Sequence, residues 1–430
     1  DWTAGRSVPV PRGKTLGGSS SINGHIYTRG NRLDYDNWAQ RGNRGWGYAD
    51  VLPYFKRSEC RIGEGDDTFR GREGPLKVTD IDWSHPLTEA FIEGCQTIGI
   101  PKAEDYNGAK QEGVSYSQRT IANGRRMSTA RAFLRPAQKR GNVKVITNAH
   151  ATRIILENKR AMGVAFNKGG RGGKPDQVMA RREVILSGGT INSPQLLQLS
   201  GIGAPDFLKS LGIEVKHALP GVGENLRDHY APRFTARVKN IKTLNERTKG
   251  LNLLGEIARW GLTRKGILSL SPTVIYCFWR SNPGIVNNDV QFTFTPASYK
   301  EGVQSELDDF PGMTIASWQQ RPEASGYVRA VSADPFDKPV INPRYLEHET
   351  DRQTLIAAMK LARQMILTDP MKPYFDHWIY PAGDIQTDDE YLQVAKERGT
   401  TTFHPMGTCR MGPRTDPTAV VDDELRVYGI

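Results

Sequence analysis

The sequence predicts a mixed α/β protein. Strand-like and helix-like patches alternate along the chain. Asp351–Leu367 (DRQTLIAAMKLARQMIL) carries apolar residues at Leu355, Met359, Leu361, Met365 and Ile366, the pattern of one helix face. The length of 430 residues allows a large core and two domains.

Taken in order, Asp50–Ser58 and Pro86–Ile98 have helical spacing. Asn142–Thr147, Thr152–Glu157, Arg160–Asn167 and Gln177–Ser187 read as successive strands. Gln195–Leu199 begins a helix, and Leu251–Trp260 repeats the helical pattern. Asp289–Pro296 and Gly326–Ala333 read as strands. The glycine-rich Lys168–Lys174 (KGGRGGK) is not a phosphate loop, because Pro175 and Asp176 stand where Ser or Thr and a helix are needed; it reads as a hairpin loop.

Composition narrows the function. With 37% hydrophobic, 9% aromatic and 24% charged residues, the chain is that of a globular protein, and no run approaches the roughly 20 apolar residues of a membrane span. The net charge of +11 is spread along the chain rather than gathered into a stripe with interleaved aromatics, which argues against nucleic acid. Attraction to acidic lipid headgroups stays open. Cys60, Cys95, Cys277 and Cys409 form neither a zinc motif nor a disulfide framework, and scattered thiols suit a reducing compartment. The expected location is cytoplasmic, with peripheral attachment to the inner membrane left open.

Three segments carry chemistry. Arg12–Asn31 (RGKTLGGSSSINGHIYTRGN) sets Gly17 and Gly18 before three serines, so that backbone can approach a ligand closely and amides can face a pyrophosphate. A surface loop entering a helix near Ser19 explains the same residues. Ser187–Gly203 (SGGTINSPQLLQLSGIG) reads as a strand end, a glycine turn and a helix beginning after Asn192, with Ser193 as N-cap and Pro194 in the first helical position. That arrangement suits an anion. Thr400–Gly412 (TTTFHPMGTCRMG) places His404 in a polar turn, where an imidazole titrating near 6.5 can take a hydroxyl proton.

Together with Asp34–Trp38 (DYDNW), Gly45–Pro53 (GWGYADVLP) and Gly221–His229 (GVGENLRDH), these strings resemble the glucose-methanol-choline flavoenzymes over nearly the whole chain. Within that family the bacterial choline-dehydrogenase-like members are the nearest in overall pattern. The resemblance implies an incomplete FAD-binding Rossmann-like domain (1–60, 131–230 and 380–430) and a substrate domain containing an antiparallel sheet (61–130 and 231–379). It implies that Thr15, Gly17, Gly18, Asn23, Gly24, His25, Ile26 and Ala151 contact the cofactor. Ile22 stands where some members carry the histidine that binds flavin covalently, so the FAD is expected to be non-covalent. His404 aligns with the family's catalytic base, which accepts the proton of a small-molecule alcohol as hydride passes to flavin N5. Oxygen or a quinone is the expected electron acceptor.

His229 reads as structural, and Asp34 and Asp36 read as turn and capping residues. His25 matters through its backbone. Tyr276, Phe278 and Trp279 read as sheet and core rather than as a cage for a quaternary ammonium, which leaves aliphatic or aryl alcohols beside choline as substrates. Against the family pattern, the dinucleotide-binding βαβ unit and the segment bearing a second catalytic His or Asn are expected to be missing. An unpaired apolar sheet edge, weak FAD binding and little activity of this chain would follow. A cyanohydrin-cleaving lyase and a non-catalytic flavoprotein remnant are the alternatives.

Overall fold

The computed structural model describes residues 2–300 and 306–430. Its largest sheet has six strands, in the order Phe375–Tyr380, Arg233–Val238, Gly312–Gln319, Val290–Thr295, Ile275–Trp279 and Gly113–Tyr116. Every neighbouring pair is antiparallel. Strand alternation divides its residues between two faces. Ile275, Cys277, Phe292, Phe294, Met313 and Ile315 join one core with the helices Pro86–Thr97 and Glu349–Ile366. Phe91 and Phe294 stack there with ring centroids 4.1 Å apart, both fully buried.

The long helix is anchored at both levels. His348 caps its start by accepting from Thr350 N, and Asp351 accepts from the amides of Glu323 and Ala324, each at 2.8 Å. Leu355, Met359, Met365 and Ile366 are buried as their spacing predicts, while Leu361 is only partly covered.

The opposite face of the sheet carries Ala316 and Trp318 beside Ala231. Tyr276 and Phe278 share that face, packed with Tyr106 and Ile26, whereas Trp279 packs against the main core. This second face looks toward the candidate site.

A separate three-stranded antiparallel sheet runs Ala149–Glu157, Arg160–Lys168 and Lys174–Met179, and Lys168–Lys174 is the hairpin connection expected from its turn chemistry. One predicted strand and half of another do not form. Asn142–Thr147 and the second half of Gln177–Ser187 have no ladder among the described residues. Their apolar character is right for a strand, but a strand exists only beside a hydrogen-bonding partner. Val143, Ile146 and Ile185 are consequently exposed.

The helix after this stretch also starts earlier than expected. It spans Gly189–Leu199, so Pro194 lies inside it and Ser193 is not the N-cap. Proline removes the amide that would bond the Thr190 carbonyl. The hydroxyl of Thr408 donates to that carbonyl instead, at 2.6 Å, which removes the main objection to a proline in this position.

Phe91→Ala is expected to lower stability by roughly 3–5 kcal/mol, because a stacked, fully buried ring leaves a cavity. Val143→Ala, at an exposed position, should stay within about 0.5 kcal/mol. Denaturant melts of the two variants check this; equal midpoints would contradict the assigned core.

Candidate functional site

Two segments 175 residues apart in sequence meet at a pair of histidines. Tyr230–Ala231 pairs antiparallel with Thr400–Thr401, and Arg227 bridges Met406 through two backbone bonds of 2.9 Å. Between these pairings lies Asp228, a buried carboxylate. One oxygen accepts from the amides of His229 and His404, both at 2.9 Å. The other accepts from the hydroxyls of Tyr345 and Thr401, both at 2.5 Å. Four donors thus fix one side chain, and that side chain fixes both histidine backbones.

The rings are ordered by a chain of hydrogen bonds. His229 Nε2 lies 2.8 Å from the Gln320 carbonyl, which can only accept, so Nε2 carries a proton. Burial lowers the pKa of His229 and keeps the ring neutral, which leaves its Nδ1 as a lone pair. His404 Nδ1 sits 3.0 Å from that atom. Two lone pairs at this distance would repel, so the proton between them belongs to His404 Nδ1. The Nε2 of neutral His404 is therefore a free base.

His404 is reached by solvent but surrounded by protein, as a residue on the floor of a cleft would be. Desolvation first, then the neighbouring His229 and the Arg12 cation, lower its pKa toward about 3. The ring is therefore neutral at physiological pH. Thr402 Oγ1 lies 2.9 Å from His404 Nδ1 and further restrains the ring. Trp318, from the second face of the large sheet, stands edge-on with its centroid 6.4 Å away.

The glycine–serine segment is tied to this pair. Arg12 donates to the Phe403 carbonyl from both terminal nitrogens, at 3.2 and 3.3 Å, and to Ser19 Oγ at 3.2 Å. Gly17 is left-handed, and Gly18–Ser21 forms a single 3-10 turn rather than an extended helix. A Cβ on Gly18 would enter open space, as would one on Gly189 at the start of the helix Gly189–Leu199. Thr190 Oγ1 donates to the Pro405 carbonyl at 2.8 Å, so that helix start is held against the His404 turn as well.

Other expected cofactor residues lie along the same path. Asn23 accepts from Arg126 and from the His25 amide, at 2.6 and 3.0 Å. The His25 carbonyl receives the Thr120 amide and hydroxyl, while its ring Nδ1 is buried without a partner. Gly24 lies against Pro272, and Ile26 bridges Arg119. Thr15 is exposed beside them. Ala151 stands elsewhere, exposed in the three-stranded sheet opposite Phe166. Open backbone at Gly18 and Gly189, together with the orphaned imidazole nitrogen of His25, fits a flavin bearing a pyrophosphate.

Sequence reasoning singles out His404 but not the neighbours that the structure gathers around it. His229, read as structural, has its ring against the base, and Asp228, Tyr345 and Arg12 were not singled out. The only local signal was the polarity of Arg227-Asp228-His229; the contact itself comes from long-range pairing. Asp34 and Asp36 do cap, as expected: Asp34 accepts the Asn31 amide and Asp36 the Tyr48 amide. His85 and His348 cap helices, and His150 bonds the Pro335 carbonyl.

Comparisons with known proteins bear on the family and the fold. Profiles of the N- and C-terminal parts of the GMC oxidoreductases match residues 2–231 and 322–430. The chain is 42% identical, over 99% of its length and 76% of the relative's, to an oxygen-dependent choline dehydrogenase of Brucella anthropi. A protein of the same description from Vibrio vulnificus is 40% identical, again over 99% of this chain and 76% of the relative. The structure resembles pyridoxine 4-oxidase from Mesorbium loti with a TM-score of 0.87 and 27% identity, covering 100% of this chain and 79% of that one. An FAD-dependent oxidoreductase from Chaetomium thermophilum, 23% identical, shares the fold with a TM-score of 0.89, over 99% of this chain and 81% of that one. The chain belongs to the glucose-methanol-choline (GMC) oxidoreductase family.

Proposed function

We propose that the protein oxidises the CH–OH group of a small-molecule alcohol to a carbonyl with FAD, and that His404 is the base. The observation that carries this reading is the hydrogen-bonded order from the Gln320 carbonyl through His229 to His404, which leaves His404 Nε2 free to accept a proton. Bound non-covalently, FAD supplies the hydride acceptor. Thr15, Gly17, Gly18 and Asn23 through Ile26 would hold it, with Ala151, which lies apart from them in the three-stranded sheet, as a further proposed contact. The division into a cofactor domain (1–60, 131–230 and 380–430) and a substrate domain (61–130 and 231–379) follows this reading.

In the reaction, His404 Nε2 takes the hydroxyl proton, and the positive ring that results keeps its Nδ1–H pointed at the lone pair of His229. His229 is a positioning residue: it fixes the tautomer of the base and the direction of its ring. Asp228 holds both backbones in register. Trp318 supplies an apolar wall. Choline is the substrate that the Brucella and Vibrio relatives nominate; Tyr276 and Phe278, already packed with Tyr106 and Ile26, do not form a separate cage for it. The oxygen dependence of those choline dehydrogenases favours oxygen over a quinone as acceptor. Free Cys60, Cys95, Cys277 and Cys409 support a cytoplasmic location. No described helix is long and apolar enough to cross a membrane.

Anaerobic mixing of the flavin-loaded protein with a panel of alcohols that includes choline tests the reaction class. An alcohol substrate should bleach the flavin absorbance; a lyase gives product without bleaching. His404→Ala should cost roughly 10²–10⁴ in kcat, the usual contribution of a general base. An undiminished rate would remove His404 from the mechanism.

His229→Ala should slow turnover and raise the pKa of the base, since His229 helps to depress it, so the acid limb of kcat/KM moves to higher pH. His229→Asn should restore much of the rate, because an amide can accept from His404 Nδ1 and donate to Gln320. The depressed pKa of His404 also sets a sign for stability. The folded protein refuses a proton that the unfolded chain takes near pH 6.5, so stability present above that pH is lost as pH falls.

Asp228→Ala should cost about 3–5 kcal/mol in a denaturant melt, since it strands four buried donors. A near-neutral melt would contradict the role given to this carboxylate.

A further inference from the structure

The helix Gly250–Thr263 has no buried residue along its 14 positions. A surface helix normally turns its apolar stripe toward the core. This one does the reverse. Leu251, Leu254 and Leu262 are 85%, 61% and 87% exposed, and with Ala258 their spacing of three, seven and eleven residues from Leu251 sets them on one outward face. Gly255 and Gly261 lie on the same arc, and exposed Ile257 widens it. The inward side is held by Trp260, whose Nε1 donates to the Gly124 carbonyl at 3.1 Å.

At the start of the helix Lys249 is paired with the exposed carboxylate of Asp309, but the exposed charges on the helix and just after it are cations. Arg259, Arg264 and Lys265 are exposed on or just after the helix, and Arg125 is exposed on the hairpin that receives Trp260. Arg264 also stacks on the Trp260 ring at 4.5 Å. The helix has a single carboxylate, Glu256, and its Oε2 is buried away from solvent. Leucines outward, cations at the rim and carboxylate inward make up an interfacial amphipathic helix. At about 21 Å in length it is too short to span a bilayer but long enough to lie in its surface.

We propose that this helix docks the protein on an anionic lipid bilayer, with Leu251, Leu254 and Leu262 entering the acyl boundary and Arg125, Arg259, Arg264 and Lys265 meeting the headgroups. The net charge of +11 favours the same approach from a distance. Neither the identity of the base nor that of the cofactor enters the argument. The dock would nevertheless sit close to the site. Gly124 belongs to the turn between Ile121–Ala122 and Arg125–Arg126, and Arg126 holds Asn23. A protein seated this way presents the rim of its cofactor loop near the membrane surface.

The test is flotation of the flavin-loaded chain with vesicles of 70% phosphatidylcholine and 30% phosphatidylglycerol, against vesicles of phosphatidylcholine alone. The expected result is recovery with the anionic vesicles at least tenfold above the neutral ones, falling as salt is raised. The double variant Leu251→Glu/Leu262→Glu should lose that binding by a similar factor, with an unchanged melt because both positions are exposed. Arg264→Gln/Lys265→Gln should weaken it severalfold. No flotation with anionic vesicles, equal recovery on both compositions, or undiminished binding by the leucine variant would each overturn the proposal. So would a concentration-dependent dimer that the leucine variant dissolves and that fails to float, since the face would then belong to a second copy.

Discussion

The site rests on one buried carboxylate. Removing Asp228 from water is costly, and no cation shares its hydrogen bonds; it is held by two amides and two hydroxyls. The strength of charge-assisted hydrogen bonds offsets that cost only when every donor is in place. Those donors come from positions 229, 345, 401 and 404, so the carboxylate is satisfied only when three distant stretches have already met. Burying it therefore selects one mutual arrangement of those stretches rather than merely adding stability, and the same selection aligns the two imidazoles.

That arrangement depends on a division of labour within the large sheet. Residues at alternate positions of one strand serve two purposes: Met313 and Ile315 face the helices, while Ala316 and Trp318 face the histidines. A slip of one residue would send Trp318 into the core and Ile315 toward the base. The stacked Phe91 and Phe294 oppose such a slip from the far side, because Phe294 pairs with Ile315 across the ladder. Packing remote from the chemistry thus sets which side chain approaches His404.

Local regularities were legible in the sequence where local physics decides them. The helix Glu349–Ile366 follows from its apolar spacing, the Lys168–Lys174 turn from its glycines, and the capping by Asp34 from its place three residues after Asn31. Asn142–Thr147 and the second half of Gln177–Ser187 were misread for the opposite reason: strand character lies in the residues, but a strand is a property of two chains of backbone. Pro194 misled in a similar way, since what makes it tolerable is a hydroxyl at Thr408, more than two hundred residues on. His404 was recognisable from its motif. Its partner was not, because nothing near His229 in sequence says that residues 400–404 will lie beside it.

A neutral imidazole that solvent reaches but protein surrounds needs something that both prevents its protonation and preserves its direction. Arg12 bears on the first, since its guanidinium bonds the Phe403 carbonyl and places positive charge near the ring. His229 bears on both, as a neighbour disfavouring a second proton and as the acceptor that orients the first. Arg12 also reaches Ser19 in the glycine–serine turn. A shift of that turn would therefore move the charge that keeps His404 unprotonated. The glycine–serine turn and His404 are joined through one guanidinium, so under the proposed function a cofactor seated in the turn and the protonation of the base would be linked rather than independent.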